Sequence, residues 1–355
     1  MVVIAIAWYF TLSKHSMSNR SIFPLVVQDS WNDRSQVRWE DWLFKLTPVE
    51  KHQGIYYKRE DYFAPMGYDS VNGSKLRQCI WLVNDWVKTK RIRGIVSGSV
   101  VGSPQHPFIS SICKHYGIGC LIATGSKHYM EHKNMQLAKS LGAQFYVSKV
   151  GYARALQSIS FKLAKRLPNH EVLETNITVD ERLNKPPRIE AFHNIGAYQT
   201  KNIPRHIESI IIPCGSCNSV VSILYGIATT PLPNLKRIIL MGIGNNGSYH
   251  LEYIPKRLKI ISQVYGQDLT KLFDFSAIGW ASSGGIEIMH HNLNGSGYCE
   301  YSDWMPYDVG DIKFHPRYEG KCMNYIHQNM ELFKPYWNEK TLFWIVGNEP
   351  NYVKH

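Results

Sequence analysis

VNGSKLRQ, residues 71–78, places a single lysine between a turn and a helix. Asn72-Gly73 is a strong turn signal and Ser74 is a residue type that caps helix starts. Leu76, Ile80, Val83 and Val87 then recur at helical spacing, which predicts an amphipathic helix with Lys75 as its first or second residue. A helix start carries roughly half a positive charge, so it disfavours an ammonium and lowers a lysine pKa. A neutral amine is a nucleophile. Most lysines taken alone are solvated surface groups, so the rest of the chain has to justify a chemical role for this one.

The bulk numbers leave room for such a role. A chain of 355 residues with 44% hydrophobic content can bury a large core and at this length usually divides into two α/β lobes. The formal charge of +12 fits an anionic ligand: a phosphorylated cofactor, an acidic substrate or nucleic acid. The basic runs at 88–93 (KTKRIR) and 255–259 (PKRLK) are short and mixed with apolar residues, as solvated faces are, so nucleic acid is not the favoured partner. Seven cysteines, odd in number and without framework spacing, point to a reducing compartment and hence the cytoplasm. Cys214 and Cys217 have a two-residue gap, yet no second Cys or His pair follows at ligand spacing, and no metal is expected. The apolar run at residues 2–12 is too short to span a bilayer and lacks a basic leader, which leaves a signal peptide as a weak reading and no membrane partner. Residues 1–20 read as an N-terminal extension, with Met17 as a second candidate start.

From Arg93 onward strands and helices alternate. GIVSGSV, CLIATG and AQFYVS read as strands; HPFISSICKHYG, HKNMQLAKSLG and ARALQSISFKLAKRL read as helices. This order predicts βαβ units around a parallel sheet. Residues 173–188 are polar and hold Pro186-Pro187, which suits a connection between lobes. A second alternation follows, with SIIIPCGSCNSVVSILYGI as strand, loop and helix, KRIILMGIG as a strand, and TLFWIVGNE as a last strand and turn. Within it, Gly215-Ser216-Cys217-Asn218-Ser219 is a loop of small residues opening onto a helix, the arrangement that aims backbone N–H groups at a phosphate.

YYKRED (56–61) followed by NGSKLRQ, GSPQHPFISSICKHYG (102–117), HKNMQLAKSLGA (132–143), CGSCNS (214–219), HPRYEGKCM (315–323) and TLFWIVGNE (341–349) stand in this order along the chain. The ordered set resembles the pyridoxal-phosphate enzymes of the tryptophan-synthase-β-like fold (fold type II), and within them the branch of 1-aminocyclopropane-1-carboxylate deaminase and D-cysteine desulfhydrase. The resemblance implies a two-domain α/β fold, each domain a mostly parallel sheet flanked by helices. Residues 21–78 and 190–355 would form the large cofactor-binding domain and 79–189 the small one. It implies pyridoxal 5′-phosphate as cofactor, Lys75 as its Schiff-base lysine, Gly215, Ser216, Cys217, Asn218 and Ser219 as the phosphate loop, and Glu319 as partner of the pyridine nitrogen. Tyr318 and Ser103 are the further catalytic candidates. Relatives commonly pair, so a homodimer is expected.

Schiff-base chemistry needs an amine deprotonated near neutral pH, which the helix start would supply. A carboxylate at Glu319 keeps the ring nitrogen protonated and the ring a full electron sink. Because neighbouring residues on a strand point to opposite faces, Tyr318 and Glu319 can both serve only if their segment is irregular. Four positions depart from the family pattern: Pro104 stands where an asparagine usually bonds the ring oxygen, Cys217 and Asn218 replace phosphate-loop glycines, and Asn348 replaces a glycine of the final turn. Ser103 and Gln105 remain as donors to the ring. Cysteine tolerates a left-handed backbone poorly.

The leading expectation is a deaminase or lyase (hydrolase or lyase chemistry) acting near the α-carbon of a small amino acid. The basic charge, ten Trp and twenty-one Tyr motivate an alternative: decarboxylation or lysis of an amino-acid group attached to a nucleic-acid base. A catalytically inert binding protein is the third reading.

Overall fold

The computed structural model describes residues 39–65, 71–125, 128–174, 185–244, 251–280 and 284–349. The expected N-terminal extension, Met17 and most of the polar connection after residue 173 lie outside them. The chain runs through β1 (Val49–His52), β2 (Ile55–Arg59), helix Ser74–Lys90, β3 (Gly94–Gly98), helix Gln105–Tyr116, β4 (Gly119–Thr124), helix Lys133–Ser140, β5 (Gln144–Val147), helix Ala153–Ala164 and β6 (His170–Val172). It continues through helix Pro186–Ala197, β7 (Ser209–Cys214), helix Asn218–Thr229, β8 (Arg237–Gly242), helix Tyr253–Tyr265, β9 (Phe273–Asp274), β10 (Ile286–Asn292), the short pair β11 (Asp308–Val309) and β12 (Ile312–Lys313), helix Glu319–Gln328 and β13 (Thr341–Ile345).

Two sheets result. One has seven strands in the order β1-β2-β13-β7-β8-β10-β9, the other four in the order β5-β4-β3-β6. The four-stranded sheet is parallel throughout; in the larger one the single antiparallel pairing is β1 with β2, at its edge. Parallel strands covered on both faces read as unbroken apolar runs, and β7 shows why. In SIIIPC, Ile210 and Ile212 join the core that also holds the Asn218–Thr229 helix, while Ile211 points into a second core with Ile239, Phe343 and Ile345. Each fully buried isoleucine contributes about 1.5–3 kcal/mol.

The helix expected after Asn72-Gly73 is present over Ser74–Lys90 and buries Leu76, Ile80, Val83 and Trp86. Pro186-Pro187 differ from expectation. They open helix Pro186–Ala197 instead of lying in a connection, because proline has no N–H to lose at the first helical position and its φ already suits a helix.

Candidate active site

The carboxyl ends of β7, β8 and β13 meet the end of β3 around a cavity of about 410 Å³, the place where parallel α/β sheets bind ligands. Lys75, Ser103, Gly215, Ser216, Cys217, Ser219, Tyr318 and Glu319 all line it, so residues spread over 245 positions of sequence converge there.

Lys75 is the second residue of its helix. Ser74 is not the cap: Gly73, at φ 98°, takes that position, and Ser74 instead donates its N–H and its Oγ to Val346 O at 2.7 and 3.1 Å. A Cβ on Gly73 would lie 2.4 Å from Val346 O and 2.7 Å from Gly347 Cα. The lysine pKa is lowered as expected, but the cause is burial, which the neighbouring Cys79 partly offsets; removal of an ammonium from water disfavours its charge.

Glu319 begins helix Glu319–Gln328, and Tyr318 precedes it at φ −122°, ψ −87°. The pair therefore lies off any strand, and this irregular corner lets both side chains reach one cavity. Glu319 Oε1 accepts the N–H groups of Val346 at 2.8 Å and Gly347 at 3.3 Å. Its Oε2 is buried with no hydrogen-bond partner. Burial pushes the acid up to about 8, against the lowering effect of those backbone donors, and nearby Asp61 adds to the rise. Tyr318 Oη lies 2.8 Å from Tyr301 Oη; burial first, then Tyr301, holds its pKa well above the ordinary value, so the phenol stays protonated.

Gly215, Ser216 and Cys217 form the turn that feeds helix Asn218–Thr229, with Cys217 left-handed at φ 63°. The unpaired N–H groups and dipole of such a helix start attract phosphate. The Cys214 and Cys217 sulfurs are 3.3 Å apart, both as thiols. Among the described residues no group of three or more His, Cys, Asp or Glu could hold a metal ion.

Two expected ligands are not among the residues that line the cavity. Gln105 is wholly buried and absent from the cavity lining; its amide nitrogen donates to Ser97 Oγ at 3.0 Å and to the carbonyls of Leu173 and Glu174, which ties its helix to β3. Asn218 is absent from the lining; its Oδ1 accepts from Tyr253 Oη at 3.2 Å. Pro104 does line the cavity, and Ser103 Oγ accepts the Gln105 N–H at 3.3 Å. Asn72, read only as a turn residue, lines the cavity and accepts the Asn348 N–H at 2.7 Å. Tyr301 went unread; it sits in a loop with no periodicity, and only its pairing with Tyr318 reveals it.

Beneath the lysine helix, YYKRED forms a buried charge layer. Arg59 pairs with Asp61 at 2.8 Å, and Arg77 with Glu60 at 3.4 Å. Lys58, pushed down to about 7 by burial, donates to Thr47 O and Asn202 Oδ1, both at 2.7 Å.

A flat phosphorylated ring, held between an amine and an acid, suits this cavity, and the class is that of α/β enzymes with an organic cofactor. Comparison with known proteins makes it specific. The fold superposes on an ACC deaminase homologue with a TM-score of 0.65 at 16% identity, over 86% of this chain and 90% of that one. It also superposes on the processed form of threonine deaminase isoform 2 from Solanum lycopersicum, with a TM-score of 0.54 at 16% identity over 91% and 89% of the two chains. In sequence, the chain is 38% identical over 367 aligned positions to the O-seryl-dTMP PLP-dependent decarboxylase of Salmonella phage ViI, spanning 90% of this chain and 85% of that protein. No protein-family model matches the chain.

The chain belongs to the pyridoxal-phosphate-dependent enzymes of the tryptophan-synthase-β-like fold, and pyridoxal 5′-phosphate is its cofactor. The residues present fit that group. The buried Glu319 Oε2 has no partner and could share one proton with a ring nitrogen, which would remove the cost of about 1–3 kcal/mol that an unmet buried polar atom carries. The inert reading is set aside, because the chain is an enzyme of this family.

Proposed function

We propose that the chain is a decarboxylase acting on an amino acid carried by a nucleotide. The observation that carries this reading is the 38% identity, across 90% of the chain, to a decarboxylase of O-seryl-dTMP. It favours the alternative among the expectations from sequence over deamination.

In this reading Lys75 would hold the cofactor aldehyde, the Gly215–Cys217 turn with Ser219 at the helix start would hold its phosphate, and Glu319 Oε2 would share one proton with the ring nitrogen. Bound pyridoxal phosphate supplies an electron sink for the pair left behind when a bond to the substrate α-carbon breaks. Loss of carbon dioxide leaves an α-carbon that needs a proton, whereas deamination begins by taking one away. Tyr318, kept protonated by burial and by Tyr301, supports the donor role. Val100, Phe108 and Val220 supply apolar wall that excludes water and strengthens these electrostatic effects.

Holoenzyme supplied with O-seryl-dTMP should release carbon dioxide without ammonia, followed in parallel by gas trapping and an ammonia assay. Ammonia released together with a 2-oxo acid would return the function to deamination, and turnover of neither kind would overturn the nucleotide reading.

A further inference from the structure

On the side of the cavity formed by Tyr301 and His315 lie aromatic and cationic groups that the chemistry above does not use. Trp304 is 47% exposed, and its ring centre is 6.4 Å from that of His315. Lys133 Nζ stands 4.6 Å from the centre of the same indole and pairs with Glu349. Arg317 is pinned by a 2.8 Å bond from Nη1 to Gly102 O, with its guanidinium carbon 5.8 Å from the Tyr301 ring centre. A Cβ on Gly102 would come within 2.7 Å of that Nη1, so the backbone there leaves room for the guanidinium.

Tyr301 and His315 line the cavity, so an aromatic strip leads from Tyr318 outward to the exposed indole with two cations beside it. Arg317 and Lys133 both act on His132 and His315, whose pKa values are lowered by burial first and then by these two cations. Trp304 is absent from the cavity lining, so a free amino acid of serine size held in the cavity does not account for the exposed indole. A nucleotide attached to such an amino acid brings what the strip can engage, a flat base to stack and a phosphate to neutralise.

We propose that Trp304, with Arg317 and Lys133, forms the subsite for the nucleotide portion of the substrate, the base against the aromatic strip and the phosphate against the two cations. This rests on the nucleotide-linked substrate proposed above. The same chemistry could come from a free nucleotide or from one within a strand.

The test titrates holoenzyme with dTMP and with a short single-stranded thymidine oligonucleotide, and measures KM and kcat on O-seryl-dTMP. Trp304→Ala should weaken dTMP binding about tenfold or more, with the loss falling on KM, and Trp304→Phe should recover part of it. Lys133→Gln should lower affinity and flatten its salt dependence by about one ion. The visible absorption of the bound cofactor should match the parent in each variant, which separates loss of the subsite from misfolding. A tighter oligonucleotide that still depends on Trp304 assigns the nucleotide to a strand; a weaker one assigns it to the free form. If O-seryl-dTMP is decarboxylated but neither variant changes KM or dTMP binding, the subsite is wrong and the decarboxylase reading stands. If O-seryl-dTMP is inert while dTMP binding still depends on Trp304, the subsite stands and that reading falls.

Discussion

The N–H of Val346 donates to Glu319 Oε1 at 2.8 Å, and the carbonyl of the same residue accepts the Ser74 N–H at 2.7 Å. One residue just past β13 therefore spaces the buried acid from the helix that carries Lys75. The amine and the acid come from segments far apart in the chain, and their separation across the cavity is set by this shared anchor on the central sheet. The acid and the lysine helix are thus tied to the same end of the central strand β13.

Glu319 gives this arrangement a pH signature. Its carboxyl is pushed up from 4.5 to about 8 by burial, so cofactor-free folded protein keeps a proton that the unfolded chain releases above about pH 4.5. Stability from this group is complete below that value and is lost as pH rises through about 8. Glu319→Gln should remove that loss, and its urea unfolding free energy relative to the parent should change by up to about 1.4 kcal/mol per pH unit across the window. Parallel pH profiles for the two proteins would rule out a raised acid here. The same variant should retain cofactor on Lys75, shown by borohydride reduction and peptide mass, while kcat falls on the order of 100-fold.

Gly73 tests the anchor from the other side. Its φ of 98° and the 2.4 Å approach that a Cβ would make to Val346 O mean that Gly73→Ala must both strain the backbone and move the lysine helix from β13. At φ 98° and ψ 178° the backbone is in a region essentially confined to glycine, where another residue costs about 1–3 kcal/mol before any clash, so the urea midpoint should drop by at least the lower equivalent. The fraction of cofactor trapped on Lys75 by borohydride should fall with it. A variant as stable as the parent, with full trapping, would show that the contact does not position the lysine.

Much of this is legible in the sequence, and the limits have physical causes. The SIIIPC strand, the small-residue loop and the helical spacing after Lys75 are local patterns, and all three fold as read. Ser74 was misassigned because the cap is decided by Val346, 272 positions away, and no local preference reports such a partner. Gln105 has the chemistry of a cofactor ligand, but its amide is used by Ser97 and two carbonyls, a pairing set by how helix Gln105–Tyr116 packs on β3. The lysine pKa was expected to fall through the helix dipole; burial does it, and burial is a tertiary property. Tyr301 and Trp304 lie in a stretch without period, where sequence offers composition and nothing more.

Tyr318 and Tyr301 share a hydroxyl contact of 2.8 Å, and the proposed function assigns the proton to Tyr318. Tyr318→Phe keeps the ring and its contact with His315 but removes that proton. Turnover should fall on the order of 100-fold or more, the range for loss of a positioned acid, and the solvent deuterium isotope effect on kcat should change. Unchanged kcat and isotope effect would shift the donor role to Lys75.

Lys75 carries a cost that the apo protein should reveal. Burial lowers its pKa, which means that folding withdraws an ammonium from water or strips its proton, and either penalises the folded state. Lys75→Met keeps the length of the side chain and removes that penalty, so the cofactor-free variant should unfold at higher urea than the cofactor-free parent, by about 1 kcal/mol, the usual scale when a functional group is traded for stability. It should also lose all covalent cofactor after borohydride treatment. The two readouts separate two faults. A variant that loses the cofactor without gaining stability has a lysine that is solvated in the apo state, whereas one that gains stability and still traps cofactor places the reactive amine on another residue.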